Sequence, residues 1–134
     1  MAENCCSGNK AVILYTCSGT SDVGEIADRA VRKLWKENFA QRNCLAGIGA
    51  DISGFVQSAK GADVNITIDG CKTACAKKCL DRIGVKSESY ILSDFGLAKG
   101  KTPVSDETVD KVCSLIKEKR AAIARSSGSG CSCC

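Results

Sequence analysis

The sequence is short of several residue types that would point to particular functions. It has no histidine, one proline and only 4% aromatic residues among its 134 residues. Without histidine, imidazole nitrogen is not available as a ligand, so a metal would have to be bound through sulfur or oxygen. The scarcity of aromatic residues predicts an aliphatic core. With 44% hydrophobic and 25% charged residues, the composition is that of a globular domain and excludes a collagen-like or wholly disordered chain.

Long apolar runs and tracts of like charge are also absent from the sequence. No run approaches the roughly 20 apolar residues that a transmembrane helix needs. Residues 1–10 lack the charged region and apolar stretch of a secretory signal. We therefore expect a cytoplasmic protein with no membrane partner. The 19 basic residues are interleaved with 15 acidic ones, so we also expect no nucleic-acid partner.

Cysteine, by contrast, is abundant, with 11 residues. A reducing compartment would keep them as thiols, which favours metal binding or redox chemistry over a disulfide framework. The chain is also long enough to bury a core without disulfides. We therefore expect any metal to be added to a domain that folds on its own core.

Hydrophobic patterning predicts strands that alternate with helices. Residues 11–16 form a continuous apolar run typical of a strand buried on both faces. Helical spacing over 22–37, opened by Asp22 and Glu25, gives the clearest helix. The other predicted elements are a short strand at 41–45, a short helix that carries Phe55, Val56 and Ala59 and ends at Gly61, a strand at 64–69, a helix at about 72–83 ended by Gly84, a strand at 90–92, and a long helix opened by Thr102-Pro103 with Val109, Val112, Cys113, Ile116 and Ile123 on one stripe.

This alternation predicts a three-layer α/β fold, Rossmann-like or flavodoxin-like. Its sheet should have about four mostly parallel strands in the order 2-1-3-4, joined by right-handed crossovers. We expect one domain at 11–125. We also expect a flexible tail at 1–10 that holds Cys5 and Cys6, and a flexible Gly/Ser/Cys-rich tail at 126–134.

Three cysteines follow three of the predicted strands. Cys17 comes just after the first strand, Cys44 lies near the end of the second, and Cys71 comes two residues after Asp69 at the end of the third. The carboxyl edge of an open α/β sheet is where ligands bind. Neighbouring strands lie about 4.8 Å apart, so these thiols can converge on one ion with metal–sulfur bonds of about 2.3 Å. The spacing therefore predicts a metal site.

The fourth ligand is sought on the predicted helix after Cys71. Cys71, Cys75 and Cys79 recur every four residues and would share one helix face, but each step rises about 6 Å. We therefore choose Cys75 and keep Cys79 as an additional candidate ligand. The helix N-terminus would lower the thiol pKa values, and nearby basic side chains would add to this effect. These basic side chains belong to Lys72, Lys77 and Lys78.

A simpler interpretation treats each cysteine as a small buried hydrophobic residue. We adopt this interpretation for Cys113, because it lies on the apolar stripe of the last helix. For a set of cysteines at successive strand ends, a metal site is the better interpretation.

Four short motifs mark the predicted strand ends: Cys17-Ser18-Gly19, Cys44-Leu45-Ala46-Gly47-Ile48-Gly49, Asp69-Gly70-Cys71 with Cys75, and Ser93-Asp94-Phe95-Gly96. In combination they resemble the DGC-domain family, small prokaryotic proteins named for the Asp-Gly-Cys motif. The resemblance covers about 11–100 and implies zinc binding through Cys17, Cys44, Cys71 and Cys75. It implies no reaction, and the long C-terminal helix, the tail and Cys79 lie outside the family pattern.

Two other thiol functions stay open at this point. In a thiol redox enzyme, Cys17 or Cys71 would attack a substrate and Cys75 or Cys44 would resolve the product, although no C-x-x-C pair occurs among these cysteines. An iron–sulfur cluster would use the same four ligands. We expect a non-enzymatic zinc protein with a structural, storage or metal-transfer role, because a closed four-thiolate site suits those roles.

The remaining motifs are weak. A kinase-like string at 94–99 stands in a chain too short for a kinase. The segment after Cys17 resembles a phosphatase loop, but Val23 stands where that loop needs arginine. The tail cysteines form a set of accessory thiols, which we expect opposite the main site: Cys5, Cys6, Cys131, Cys133 and Cys134.

Overall fold

The computed structural model describes residues 10–126. Within them lie four strands, five α-helices and a 3₁₀ turn. In chain order they are β1 (Val12–Thr16), α1 (Asp22–Lys36), β2 (Gln41–Arg42), α2 (Leu45–Gly49), α3 (Ser53–Gly61), β3 (Val64–Asp69), α4 (Cys75–Arg82), β4 (Glu88–Ile91), a 3₁₀ turn (Leu92–Phe95) and α5 (Asp106–Ser126). None of these helices is both long enough and apolar enough to cross a membrane.

The four strands form one parallel sheet in the order β2-β1-β3-β4. This confirms the predicted α/β fold and its strand order. β1 and β3 are paired along their whole common length, from Val12 opposite Val64 to Thr16 opposite Ile68. The two central strands therefore end at the same level, which brings the residues that follow them to one edge.

The continuous apolar run of β1 supplies both faces of the sheet. Leu14 packs into a core formed with α1 and α5, whereas Tyr15 packs into a second core formed with α2, α3 and α4. Each residue is fully buried. Because side chains alternate along a strand, a strand covered on both faces needs apolar residues at successive positions. The result is a three-layer α/β domain.

Helix α1 occupies nearly the predicted range, but a different residue caps it. The Ser21 hydroxyl accepts a hydrogen bond from the Gly24 N–H at 3.2 Å, as an N-cap side chain does. Asp22, the predicted cap, lies in the first turn and accepts the N–H groups of Gly100 and Thr102 at 2.8 and 3.0 Å. Asp22 thus fastens the loop before α5 to the start of α1.

Helices α1 and α5 lie side by side on one face of the sheet. Three ion pairs join their surfaces: Arg29 with Asp106, Lys33 with Asp110, and Lys117 with Glu37, the residue that caps the end of α1. The predicted apolar stripe of α5 is buried from Val109 to Ile116. The prediction was wrong for Ile123, which is 43% exposed because it lies in the last two turns of the helix.

Three predicted boundaries differ from the structure. The second strand ends at Arg42, and the residues from Leu45 onward form α2 rather than extending it. The last strand begins at Glu88, two residues before the predicted start. The helix predicted at about 72–83 is α4, which begins at Cys75 because Ala74 adopts a left-handed conformation with φ 50° that a helix cannot include. Its predicted end is correct, since Gly84 follows with φ 76°.

Candidate thiolate metal site

The carboxyl edge of the sheet carries the cysteines that the sequence singled out. Cys17 follows β1 directly, Cys44 comes two residues after β2, and Cys71 comes two residues after β3. Cys17 and Cys71 are partly buried and Cys44 is exposed. The three loops that hold them leave neighbouring parallel strands, so they lie along one edge, as expected for a ligand site in this class of fold.

Asp69, the last residue of β3, determines where helix α4 begins. Its carboxylate is 1% exposed and accepts the N–H groups of Ala76 at 2.8 Å and Lys77 at 3.1 Å. Ala74, at the N-cap position, has only a methyl group, which cannot accept hydrogen bonds from these N–H groups. Burial raises the pKa of Asp69, an effect that the two N–H donors partly offset. Asp69 therefore acts as a cap supplied from the strand, and it fixes the first turn of α4.

Gly70 allows the strand end to approach α1. A Cβ atom at this position would lie 2.6 to 2.8 Å from the backbone of Val23 and Gly24, closer than carbon atoms approach one another without strain. The Gly70 N–H also points to the Cys17 sulfur at 3.4 Å. The lack of a side chain at Gly70 therefore lets the end of β3 contact α1, with the Gly70 N–H directed at the Cys17 sulfur.

Cys17 lies where its thiol is held in the neutral form. Its pKa is raised, chiefly because burial desolvates the thiolate, and also by the negative charges of Asp69 and Cys75. The N–H groups of Gly70 and Gly19 oppose this shift. A cation placed at this sulfur would favour the thiolate, so metal binding here would release a proton.

A cavity of about 740 Å³ opens beside Cys17. Three thiols line it, those of Cys17, Cys44 and Cys79. Cys79 lies on α4 and packs partly against the core formed with α2 and α3. It was kept only as an additional candidate in the sequence-based set, but the structure places it on the same cavity as two of the main candidates.

Cys75 begins α4 and is exposed. A thiolate at Cys75 would raise the pKa of both Cys17 and Cys79. For Cys79 the larger cause of the raised pKa is burial.

Cys71 was expected to share a helix face with Cys75 and Cys79, and this expectation was wrong. Cys71 lies in the turn before α4, where its carbonyl accepts the N–H of Ala74 at 3.0 Å. It packs partly against the core formed with α1 and α5, whereas Cys79 packs against the opposite core. Because Cys71 lies in this turn and not in α4, a step of four residues no longer places it on the helix face of Cys75 and Cys79.

The turn gives Cys71 an environment unlike that of Cys17. Hydrogen bonds from the side chain and the backbone N–H of Thr73 lower the pKa of Cys71, and the charge of Lys99 adds to this effect. Neither residue was singled out by the sequence reasoning, which named Lys72, Lys77 and Lys78. Of those three, Lys77 forms an ion pair with Asp81 at 2.6 Å. Lys99 belongs to the loop that Asp22 fastens, a contact that sequence spacing does not reveal.

Throughout residues 10–126, no three side chains of cysteine, aspartate, glutamate or histidine lie close enough to hold a metal ion as they stand. The four predicted ligands would have to turn their side chains toward one another to share an ion. Their chemistry is nevertheless that of a thiolate metal site, with sulfur donors and no imidazole.

Cys113 is a core residue, as predicted. It is 2% exposed, and its thiol lies 3.6 Å from the carbonyl oxygen of Ala30. Burial raises its pKa to about 11. The five accessory thiols of the tails, Cys5, Cys6, Cys131, Cys133 and Cys134, lie outside the described residues.

The fold and these loops define a small α/β domain with cysteines at the carboxyl edge of its sheet. The profile of the DGC domain matches residues 13–116, and the chain belongs to this family. It is similar to the anaerobic and virulence modulator AnvM of Pseudomonas aeruginosa, with 34% identity over 88 residues, which are 65% of this chain and 67% of that protein. No solved structure matches the chain significantly.

Proposed function

We propose that the protein binds zinc through cysteine thiolates at the carboxyl edge of its sheet. The ligand set is Cys17, Cys44, Cys71 and Cys75, with Cys79 as an additional ligand or as a replacement for one of them. The observation that supports this most directly is the cavity shared by the thiols of Cys17, Cys44 and Cys79. Cys75 lies one helical turn before Cys79 on α4.

Zinc is the metal proposed because the site offers sulfur ligands and no imidazole. Four thiolates would close the coordination sphere and leave no position for a substrate or water. Such a site suits a structural, storage or metal-transfer role in the cytoplasm rather than catalysis.

Native mass spectrometry with elemental analysis of anaerobically purified protein tests this proposal. We expect one zinc per domain in the wild type and loss of that zinc in Cys17→Ser and Cys44→Ser. Cys113→Ala is the matched control, because it removes a thiol that the structure places in the core. Wild-type protein that takes up no metal even after reconstitution would contradict the proposal, as would equal zinc in all variants.

The same measurement decides between Cys71 and Cys79. Cys79 lines the cavity with Cys17 and Cys44, whereas Cys71 packs toward the other core. Loss of zinc in Cys79→Ser with retention in Cys71→Ser would assign Cys79 as the ligand, and the opposite result would assign Cys71. Iron and acid-labile sulfide in place of zinc, with absorbance near 400 nm, would identify an iron–sulfur cluster.

One observation favours thiol redox chemistry as a second candidate function. The pKa of Cys71 is lowered, and a thiolate is the form that attacks disulfides and oxidants. Cys71 would then be a reactive thiol beside the metal site. If Cys71→Ser kept its zinc but lost the fastest reaction with hydrogen peroxide, this second function would be supported.

A further inference from the structure

Cys44 is a proposed ligand with little regular structure around it. It is exposed and lies between β2, a strand of two residues, and α2, a helix of five. Cys17, by contrast, directly follows a five-residue strand inside the sheet, and Cys75 and Cys79 belong to α4. Ordering the backbone of a loop residue when a ligand binds costs free energy. The contribution of Cys44 to the site therefore depends on the contacts that hold its backbone beforehand.

Asn43 is bonded both to the neighbouring strand and to the residue that follows it. Its backbone N–H donates to the carbonyl oxygen of Leu14 at 3.1 Å, which continues the pairing of β1 with β2 one residue beyond the end of β2. Its side-chain Oδ1 accepts the N–H of Cys44 at 2.8 Å. Its Nδ2 donates to the hydroxyl oxygen of Tyr15 at 3.2 Å. The amide of Asn43 therefore links the backbone of Cys44 to a residue of β1.

The partners of the Asn43 amide determine its orientation. The N–H of Cys44 can only donate a hydrogen bond, so it faces the amide oxygen, and the amide nitrogen then faces the Tyr15 hydroxyl, which can accept. Tyr15 is fully buried and packs in the core formed with α2, α3 and α4. Both polar atoms of the Asn43 side chain are thus engaged, so Asn43 acts through Cys44 and is not itself a ligand.

The backbone of Cys44 is also held on its other side. Its carbonyl oxygen accepts the N–H of Ile48 at 3.3 Å, the first backbone bond of α2, and Ile48 is buried. The Cys44 side chain forms no capping bond to α2, and it lines the cavity that Cys17 and Cys79 also line. Both backbone groups of Cys44 are therefore engaged, whereas its side chain is left to a ligand.

We infer that Asn43 is the positioning residue of Cys44: it ties the backbone of this cysteine to the buried Tyr15 and so holds the exposed thiol at the cavity. This inference rests on the proposed metal-binding function, and it names the residue that prepares one ligand for the metal. Without the Asn43 amide, the backbone of Cys44 has to be ordered when the metal binds, which lowers the affinity.

Hydrogen exchange at the Cys44 N–H tests the role of Asn43 in metal-free protein. We expect NMR to show faster exchange in Asn43→Leu than in the wild type, because leucine has a similar size but accepts no hydrogen bond. Asn43→Asp keeps an oxygen in the place of Oδ1 and should retain the slow exchange. Tyr15→Phe keeps the ring and removes only the hydroxyl, and it should also speed the exchange. Equal exchange in the wild type and Asn43→Leu would overturn the inference.

Zinc affinity, measured by competition with a chelator, tests whether this placement serves the site. Asn43→Leu should raise the dissociation constant roughly 5- to 30-fold, the effect of ordering one more residue on binding. Asn43→Asp should bind zinc more tightly than Asn43→Leu. Asn65→Leu is the matched control, because Asn65 lies near the amino end of β3 and its Nδ2 donates to the carbonyl oxygen of Ala59 at 2.9 Å. It should bind zinc like the wild type even where it lowers stability.

The outcomes separate this inference from the proposed function. A wild-type dissociation constant in Asn43→Leu would overturn the positioning role. An equal loss of zinc affinity in Asn65→Leu would also overturn it, because the loss would then follow from lower stability. Wild-type protein that bound no zinc would refute the proposed function. If exchange of the Cys44 N–H in that protein still depended on Asn43, the placement of Cys44 by Asn43 would be supported.

Discussion

The Asp69 carboxylate accepts the backbone N–H of Ala76 at 2.8 Å, and through this bond the end of β3 determines the start of α4. The residue that precedes the helix has no side-chain cap. The position of Cys75 and Cys79 therefore depends on a carboxylate from the sheet. The first two residues of the Asp-Gly-Cys motif thus have structural roles in placing thiols that lie elsewhere in the chain.

Replacement of Asp69 should affect both the fold and the site. Asp69→Ala removes one buried and one partly buried hydrogen bond to the carboxylate, and we expect it to lower the free energy of unfolding by about 1 to 3 kcal/mol. It should also weaken zinc binding, because the first turn of α4 is no longer held. Urea denaturation and zinc titration would measure the two effects. Asp81→Ala is the control, since this exposed residue of α4 pairs only with Lys77 among the contacts that the structure records, and it should change stability by less than about 1 kcal/mol.

Gly70 should not tolerate even a methyl group. Gly70→Ala places a Cβ about 2.6 Å from the backbone of Val23, so the strand end or α1 must shift at a cost of about 1 to 3 kcal/mol. The shift should also separate the Gly70 N–H from the Cys17 sulfur. Gly54→Ala, in α3 and with open space around the added Cβ, should be neutral or stabilising by up to about 1 kcal/mol. Similar melting temperatures for the two variants would show that the close approach does not limit stability.

Cys71 should be alkylated at a lower pH than Cys17. The Thr73 side chain lowers its pKa, so Thr73→Val should raise the pH at which Cys71 reacts with iodoacetamide. Peptide mass spectrometry would follow the rate at Cys71 and at Cys17, whose pKa is raised. Ser58→Ala removes a hydroxyl from α3 and should leave both profiles unchanged. A Cys17 that reacted at lower pH than Cys71 would contradict the assigned environments.

Cys113 should make the protein less stable in alkali. Its pKa rises from 9.0 to about 11 on folding, so between these values the unfolded chain loses the thiol proton while the folded chain keeps it. The contribution of the protonated Cys113 thiol to the free energy of unfolding is fully present below about pH 9 and is lost as the pH rises toward 11. The loss is roughly 2 to 3 kcal/mol, since each pKa unit corresponds to about 1.4 kcal/mol.

Cys113→Ala provides the comparison for this alkaline effect. It should lower the free energy of unfolding at neutral pH, because it leaves a small gap in the core. Between pH 9 and 11 its stability should fall less steeply than that of the wild type. The free energy of unfolding would be measured by urea denaturation at several pH values. If it fell with pH equally steeply in the variant and the wild type, Cys113 would not ionise differently in the folded and unfolded states.

The sequence predicted those parts of the fold that depend on regular hydrophobic patterning. The apolar run of β1, the helical spacing of α1 and the alternation in β3 each specify one element and its buried face. With strands and helices alternating, the handedness of crossovers leaves few arrangements, and the order 2-1-3-4 was correct. The cysteines after β1, β2 and β3 then had to lie on one edge.

The details of the site depend on contacts between distant residues, which patterning does not reveal. Ala74 gives no indication that its backbone is left-handed, so the helix was predicted to begin at about residue 72 and to place Cys71 on the same face as Cys75 and Cys79. The bond from Asp69 to Ala76 and the loop that brings Lys99 near Cys71 are likewise set by tertiary structure. For the same reason the sequence ranked Cys75 above Cys79 by helical rise alone, without the cavity that Cys79 shares with Cys17 and Cys44.

X-ray absorption at the zinc edge tests the central claim most directly. The sample is zinc-loaded protein in which Cys5, Cys6, Cys131, Cys133 and Cys134 are replaced by serine, so that only thiols of the domain remain. The account predicts a first shell of about four sulfur atoms at about 2.3 Å and its loss in the further variant Cys17→Ser. A shell of oxygen or nitrogen atoms, or the absence of bound zinc, would contradict a thiolate site at the carboxyl edge of this sheet.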